Sequence, residues 1–339
     1  MDTGAKHDLS AELCIHLDRR YRERSRTRRF QGSGKEELLA WQARTRLELA
    51  AALGGEPDQV PALALERIPI AAPDAPEFAG VRLERLYYRT REDLSATAFL
   101  VLPAGLTSPA PAVLCPPGHG GGMNQLVFEP GIYHHYPLHL ARRGLVALVP
   151  EHLGHGERAV PQAPGCTHAF SYLAPLVLGE NAMGYLLWDL RRALSVLAGL
   201  PEVDPARLGC FGLSLGGEMT MFTAALDQRV QVAGISGFFT SYRSTYLHEQ
   251  HCGCGYVPGI ACLLEHVDIA ALIAPRPLLI ESGTADSSFR TEVAREHFGE
   301  LQATYQQLGA ADRLELHVFP GGHEVGGELP LDWLAARLA

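Results

Sequence analysis

Ser214, Asp286 and His323 are three residues whose types and order along the chain suit nucleophilic acyl transfer. Ser214 stands in Gly212-Leu213-Ser214-Leu215-Gly216, a G-x-S-x-G pattern set between a short apolar run, Leu208–Phe211, and a helix-compatible run, Glu218–Leu226. A strand turning sharply into a helix would hold the serine strained and exposed. Glycine suits 212 and 216, because a Cβ at either would strike neighbouring backbone. The plainer alternative is a glycine turn whose serine caps the following helix. The motif therefore needs a base, an acid and an anion-binding loop beside it.

A serine hydroxyl is a poor nucleophile until a base takes its proton. Of 15 histidines, His323 is the candidate. It follows a strand-like run, Leu314–Phe319, and a Pro320-Gly321-Gly322 turn, and precedes a helix-like closing segment, Gly327–Leu338. His317 is its nearest rival, but it alternates within the strand and reads as structural. The acid candidate is Asp286, just beyond a buried strand pattern, Pro277–Ser282, and a Gly283-Thr284-Ala285 turn. There it would fix the imidazole tautomer and stabilise the imidazolium. Glu281 and Asp268 are weaker alternatives, and a lone loop aspartate is more often a turn former. For the developing oxyanion, the apolar run Ala110–Cys115 leads into Pro116-Pro-Gly-His-Gly-Gly-Gly122. Its bare amides would face the anion together with the N–H of Leu215, the residue after the nucleophile. The first donor is His119 or Gly120, which spacing alone does not separate. No Lys-Ser/Thr follows this loop, so a phosphate cradle fits poorly.

With these residues assembled, the chain resembles the α/β-hydrolases, and within them the dienelactone-hydrolase and acetyl-xylan-esterase-like branch. The similar stretches are Cys115–Gly122, Ala141–Arg158, Trp188–Arg192, Val203–Gly217, Ile273–Ile280 and Gly321–His323, so the likeness spans roughly residues 80–339. The order Ser214, Asp286, His323 is the order of that fold. The resemblance implies a serine esterase with no metal and no cofactor. One departure is informative: dienelactone hydrolases use a cysteine nucleophile, and here the position is Ser214.

The elements that must position these residues follow from pattern. The expected fold class is α/β, with a mostly parallel central sheet, helices on both faces and an N-terminal helical extension. Residues 1–60 form the extension, with Leu38, Leu39, Leu47, Leu49 and Leu53 on its apolar face, and residues 61–339 form the catalytic domain. Val81–Tyr88 and Ala96–Leu102 read as an antiparallel hairpin ahead of the parallel strands. Asn181–Leu200 carries Leu186, Leu190, Leu194 and Leu197 at helical spacing, which is core packing. Insertions near 157–182 and 240–268 would project at the strand C-termini, where ligands bind in open α/β sheets. His155, Phe238 and Tyr242 are the candidate substrate contacts, with packing of the insertion onto the body an equally simple role for the aromatics.

His248, His251, Cys252, Cys254 and His266 invite a zinc reading, but Cys-Gly-Cys is tighter than the usual Cys-x₂₋₄-Cys, and the expectation is no metal. His152 and His155 do not fit the H-E-x-x-H helix of zinc proteases. Arg19–Arg29 holds seven Arg and one Glu, read as a solvated helix face. A net charge of −9 argues against nucleic acid as a partner. With no run of 18 apolar residues, no membrane span is expected. No apolar leader is visible, and seven scattered cysteines suit reduced thiols, so the expected location is cytoplasmic. The expected partner is a small-molecule ester, and self-association into a homo-oligomer stays open. The rival readings are a prolyl-oligopeptidase-like peptidase and a non-catalytic hydrolase-fold binding protein.

Overall fold

Among the described residues nine segments pair into one sheet: β1 (Glu66–Ile70), β2 (Val81–Arg89), β3 (Ser95–Pro103), β4 (Ala110–Leu114), β5 (Val146–Pro150), β6 (Val203–Leu213), β7 (Val230–Ser236), β8 (Leu278–Gly283) and β9 (Leu314–Phe319). Their order is β1-β2-β3-β5-β4-β6-β7-β8-β9. The first three strands and the β3–β5 pair are antiparallel, and β5 through β9 run parallel. The structure, a computed structural model, describes residues 9–54, 56–160 and 167–339. Pro161, Pro164 and Cys166 of the first expected insertion lie outside the described residues.

Every residue of β5 and β8 is buried, whereas edge-side β2 alternates. That contrast is what helices on both faces impose on interior parallel strands. One face packs under helices Ala182–Gly199 and Leu215–Leu226, the other under Tyr136–Arg142 and Leu329–Leu338. The leucine stripe of Ala182–Gly199 is buried as its spacing requires, and Asn181 caps the helix by accepting from the Gly184 N–H.

Register sets the site. Leu213 lies beside Ser236, Ser236 beside Glu281, and Glu281 beside His317. The segments that follow β6, β7, β8 and β9 therefore leave the sheet at one level. Ser214, Asp286 and His323 all lie on such segments, at the carboxyl ends of parallel strands.

The N-terminal region is two helices, Leu9–Arg24 and Lys35–Ala52. Its apolar face differs from the expected one. Leu38, Trp41, Leu49 and Leu53 are buried, but Leu39 is 41 % and Leu47 74 % exposed. At 100° per residue, positions 38, 41, 45 and 49 share one side, and 47 falls opposite. The arginine run is likewise not a simple solvated face. Arg26 pairs with Asp268 at 2.8 Å and Glu300 at 2.9 Å, and Arg28 with Glu48 at 2.9 Å. Among the described residues no helix is long and apolar enough to cross a membrane.

Candidate active site

The turn at Ser214 has the strained geometry its sequence requires. Ser214 adopts φ 64°, ψ −126° and starts the helix Leu215–Leu226 directly off β6. A Cβ at Gly212 would lie 2.5 Å from the Gly216 carbonyl oxygen, and one at Gly216 would lie 2.2 Å from that of Pro116. The glycines are thus required by close approach of the loop after β4 as well as by the turn. The Ser214 N–H donates to the Ser236 carbonyl at 3.0 Å, which locks the serine's backbone to β7. Such a backbone costs about 1–3 kcal/mol, supplied by the surrounding packing.

His323 Nδ1 lies 2.7 Å from Asp286 Oδ2. The other oxygen of Asp286 accepts the N–H groups of Ser288 and Phe289 at 2.8 and 3.0 Å, so the buried carboxylate is held from both sides. Phe289 also packs 5.4 Å from the His323 ring, centroid to centroid. On the other side the imidazole rests on Gly237, where a Cβ would sit 3.2 Å from Cε1. Among the described residues Ser214 Oγ and His323 share no hydrogen bond. In unliganded enzymes this contact is commonly long and tightens with substrate.

The rival acids have other tasks. Glu281 accepts the Ser236 hydroxyl at 2.7 Å and the Gly326 N–H at 3.0 Å, and its second oxygen meets His317 Nδ1 at 2.9 Å. It braces β7, β9 and the His323 loop from beneath. Asp268 completes a capping box on the helix His266–Ala271 and pairs with Arg26.

In the loop after β4, the Gly118 N–H is taken by the Tyr133 hydroxyl at 3.0 Å, while the amides of His119, Gly120 and Leu215 donate to no acceptor among the described residues. A Cβ at Gly118 would lie 2.3 Å from Tyr133 Oη, 2.9 Å from the Leu213 carbonyl oxygen and 3.2 Å from Ser214 Cβ, so this loop abuts Ser214. Gly118→Ala is therefore expected to displace the unpaired amides of this loop and lower kcat about 10²–10³-fold with a smaller change in KM. Steady-state kinetics on the folded variant check this, and an unchanged kcat would exclude the loop from the site.

Two buried residues brace the same loop and had no distinguishing signal beyond their place after β5. His152 Nε2–H donates to the Pro117 carbonyl at 2.9 Å, and burial drives its pKa down to about 3, so the ring is neutral. Glu151 accepts the Met123 N–H at 3.1 Å, and burial pushes its carboxyl up to about 7. An acid whose folded pKa is raised favours the folded state fully below its unfolded pKa near 4.5, and that advantage is lost as pH rises through 7. The loss amounts to about 3 kcal/mol. Glu151→Gln keeps the acceptor without the charge. Its Tm should match wild type near pH 4.5 and exceed it at pH 8.5, and parallel Tm curves across that range would refute the shift.

The expected substrate contacts are placed unequally. His155 is buried near the loop, with its ring 6.5 Å from that of His119. Phe238 and Tyr242 are only 1 % and 3 % exposed. Their rings pack on His266 at 5.2 and 4.1 Å, which is the packing role rather than an open pocket wall. His248 and His266 of the expected histidine–cysteine group are also engaged elsewhere, with Asp18 and with the Thr240 carbonyl.

A nine-stranded, mostly parallel sheet with a strained serine after β6 defines an α/β-hydrolase of the serine esterase class. The sequence profile of the acetyl xylan esterase family, AXE1, matches residues 72–250, over half of the chain. The chain belongs to that family and is a carboxylic ester hydrolase. It is 30 % identical over 273 residues to the candidate hydrolase YtaP of Bacillus subtilis (strain 168), covering 74 % of this chain and 89 % of that one. A candidate acetyl xylan esterase from Bacteroides fragilis superposes with a TM-score of 0.75 at 19 % identity, over 90 % of this chain and 81 % of that one. A glucuronoyl esterase from Solibacter usitatus gives 0.69 at 16 %, over 91 % and 94 %.

Proposed function

We propose that Ser214 is the nucleophile of this esterase, that its substrates are acetyl or other short acyl esters of polar, carbohydrate-like alcohols, and that an acyl-enzyme forms on its hydroxyl. His323 Nε2 takes the serine proton as Oγ attacks the carbonyl carbon. The tetrahedral oxyanion accepts hydrogen bonds from Leu215 N–H and from His119 or Gly120 N–H. Collapse breaks the C–O bond, and the imidazolium returns its proton to the departing alcohol. Water then repeats the sequence and releases the acid. Asp286 keeps Nδ1 protonated and offsets the imidazolium charge. No step needs a cofactor.

The observation that carries the reading is the 2.7 Å Asp286–His323 pair beside a serine held at φ 64°. The polar alcohol is inferred from the sugar-ester names of the structural relatives. Reduced surroundings suit the six free cysteines among the described residues, in keeping with a cytoplasmic location. A fluorophosphonate probe should label Ser214 stoichiometrically, and acetylated sugars should release acetate faster than a Pro-linked amide is cleaved. Labelling at another residue, or preferential amide cleavage, would replace this reading with a different hydrolase chemistry.

A further inference from the structure

We propose that His119, Cys252 and Cys254 form a Cys₂His site for one tetrahedral, thiophilic divalent cation of the zinc class. Among the described residues their ligand atoms all lie within 4.8 Å of one another, although His119 is more than 130 residues away along the chain. His119 Nε2 is 3.4 Å from Cys254 Sγ. Zinc–nitrogen and zinc–sulfur bonds of about 2.0 and 2.3 Å at a tetrahedral angle place such atoms about 3.5 Å apart. The tight Cys-Gly-Cys spacing is no obstacle. Cys252, at φ −65° and ψ 143°, is the N-cap of the 3₁₀ turn Gly253–Gly255 that carries Cys254, and both sulfurs lie within 4.8 Å of each other and of a His119 ring nitrogen. A two-residue spacing thus presents both sulfurs to one ion, with the imidazole supplied from a different strand end.

A second observation points to a ligand there. His155 is 5 % exposed, and its Nε2 has no hydrogen-bond partner among the described residues. Its Nδ1 faces the Leu153 carbonyl and the Tyr172 hydroxyl, each at 3.4 Å. A ring nitrogen turned to a carbonyl while the other stays free is the arrangement metal-bound histidines adopt. His155 lies outside the three-residue cluster, with its ring 6.5 Å from that of His119, so it would reach the fourth position through a bridging water. Nitrogen and thiolate donors select zinc over magnesium or calcium. Binding converts two thiols to thiolates, releases two protons and transfers no electron. The ion would sit beside the proposed acyl-transfer site, because His119 belongs to the loop after β4, but its binding does not depend on that chemistry. Its effect would be to fasten the anion-binding loop, through His119, to the insertion that carries Cys252 and Cys254.

The full chain, exposed to zinc and dialysed against metal-free buffer, should retain about one zinc per molecule by elemental mass spectrometry. Cobalt replacement should give intense tetrahedral d–d bands and a thiolate charge-transfer band. Cys252→Ser and Cys254→Ser should lose both signals, whereas Cys262→Ser keeps them. Should a serine variant fail to fold, phenanthroline treatment of the wild type should expose two further thiols to a thiol reagent, reversibly on zinc return. Three results would overturn the proposal: retention below a tenth of an equivalent, unchanged zinc in both serine variants, or a native 252–254 disulfide in non-reducing peptide maps. Fluorophosphonate labelling of Ser214 reads the esterase assignment separately, so either can fail alone.

Discussion

Replacing Ser214 with alanine is expected to lower kcat for ester hydrolysis about 10⁵–10⁶-fold, because the attacking oxygen is gone and the remaining groups act only as a unit. A residual rate above that of water should persist from the oxyanion donors. The fold should survive, since the Ser214 hydroxyl makes no hydrogen bond among the described residues and only its backbone is locked, to Ser236. Ser214→Gly separates strain from chemistry. It should be equally inactive but more stable by about 1 kcal/mol, because glycine adopts φ 64° without a Cβ penalty. Stopped assays alongside calorimetry check both variants. Turnover in the alanine variant within tenfold of wild type would remove Ser214 from the mechanism.

The second large effect is expected at Asp286. Asp286→Asn keeps the size and the Ser288 and Phe289 contacts but presents an amide to His323 Nδ1. The imidazole would be forced toward the wrong tautomer, and kcat should fall about 10⁴-fold. Glu281→Gln serves as the comparison. Glu281 touches His317 and Ser236 rather than His323, so its loss should reduce activity far less while lowering Tm. If Glu281→Gln proved the more damaging to kcat, the acid would have been assigned to the wrong carboxylate.

Much of this site is legible from the chain because its signals are local. The glycines around Ser214, the Pro-Gly-Gly turn before His323 and the turn before Asp286 each mark a strand end, and the chain order of the three residues supplies the rest. The hairpin of β2 and β3 is likewise written in two apolar runs around a polar turn. What escapes is whatever depends on neighbours distant in sequence. Gly118 is held by Tyr133, and Glu281 meets Ser236 and His317 rather than His323. His119 joins Cys252 and Cys254 although no spacing rule links them. Conversely, His248 and His266 look like companions of the cysteines because they are near in sequence, yet each is spent elsewhere. Leu39 and Leu47 were expected on the buried face by residue type, where the helical angle decides otherwise.

The N-terminal helix Lys35–Ala52 reaches the far end of the helix Leu215–Leu226 that begins at Ser214. Arg46 donates to the Ala225 carbonyl at 3.0 Å, and Arg276 to the Ala224 and Asp227 carbonyls. Two guanidinium charges thus sit at the negative pole of the helix whose positive pole offers the Leu215 amide. Trimming the leader helices, however dispensable they look on paper, would strip one of these cations and weaken the terminal turn of the rod that carries Ser214. A minimal catalytic fragment would therefore have to begin ahead of residue 35.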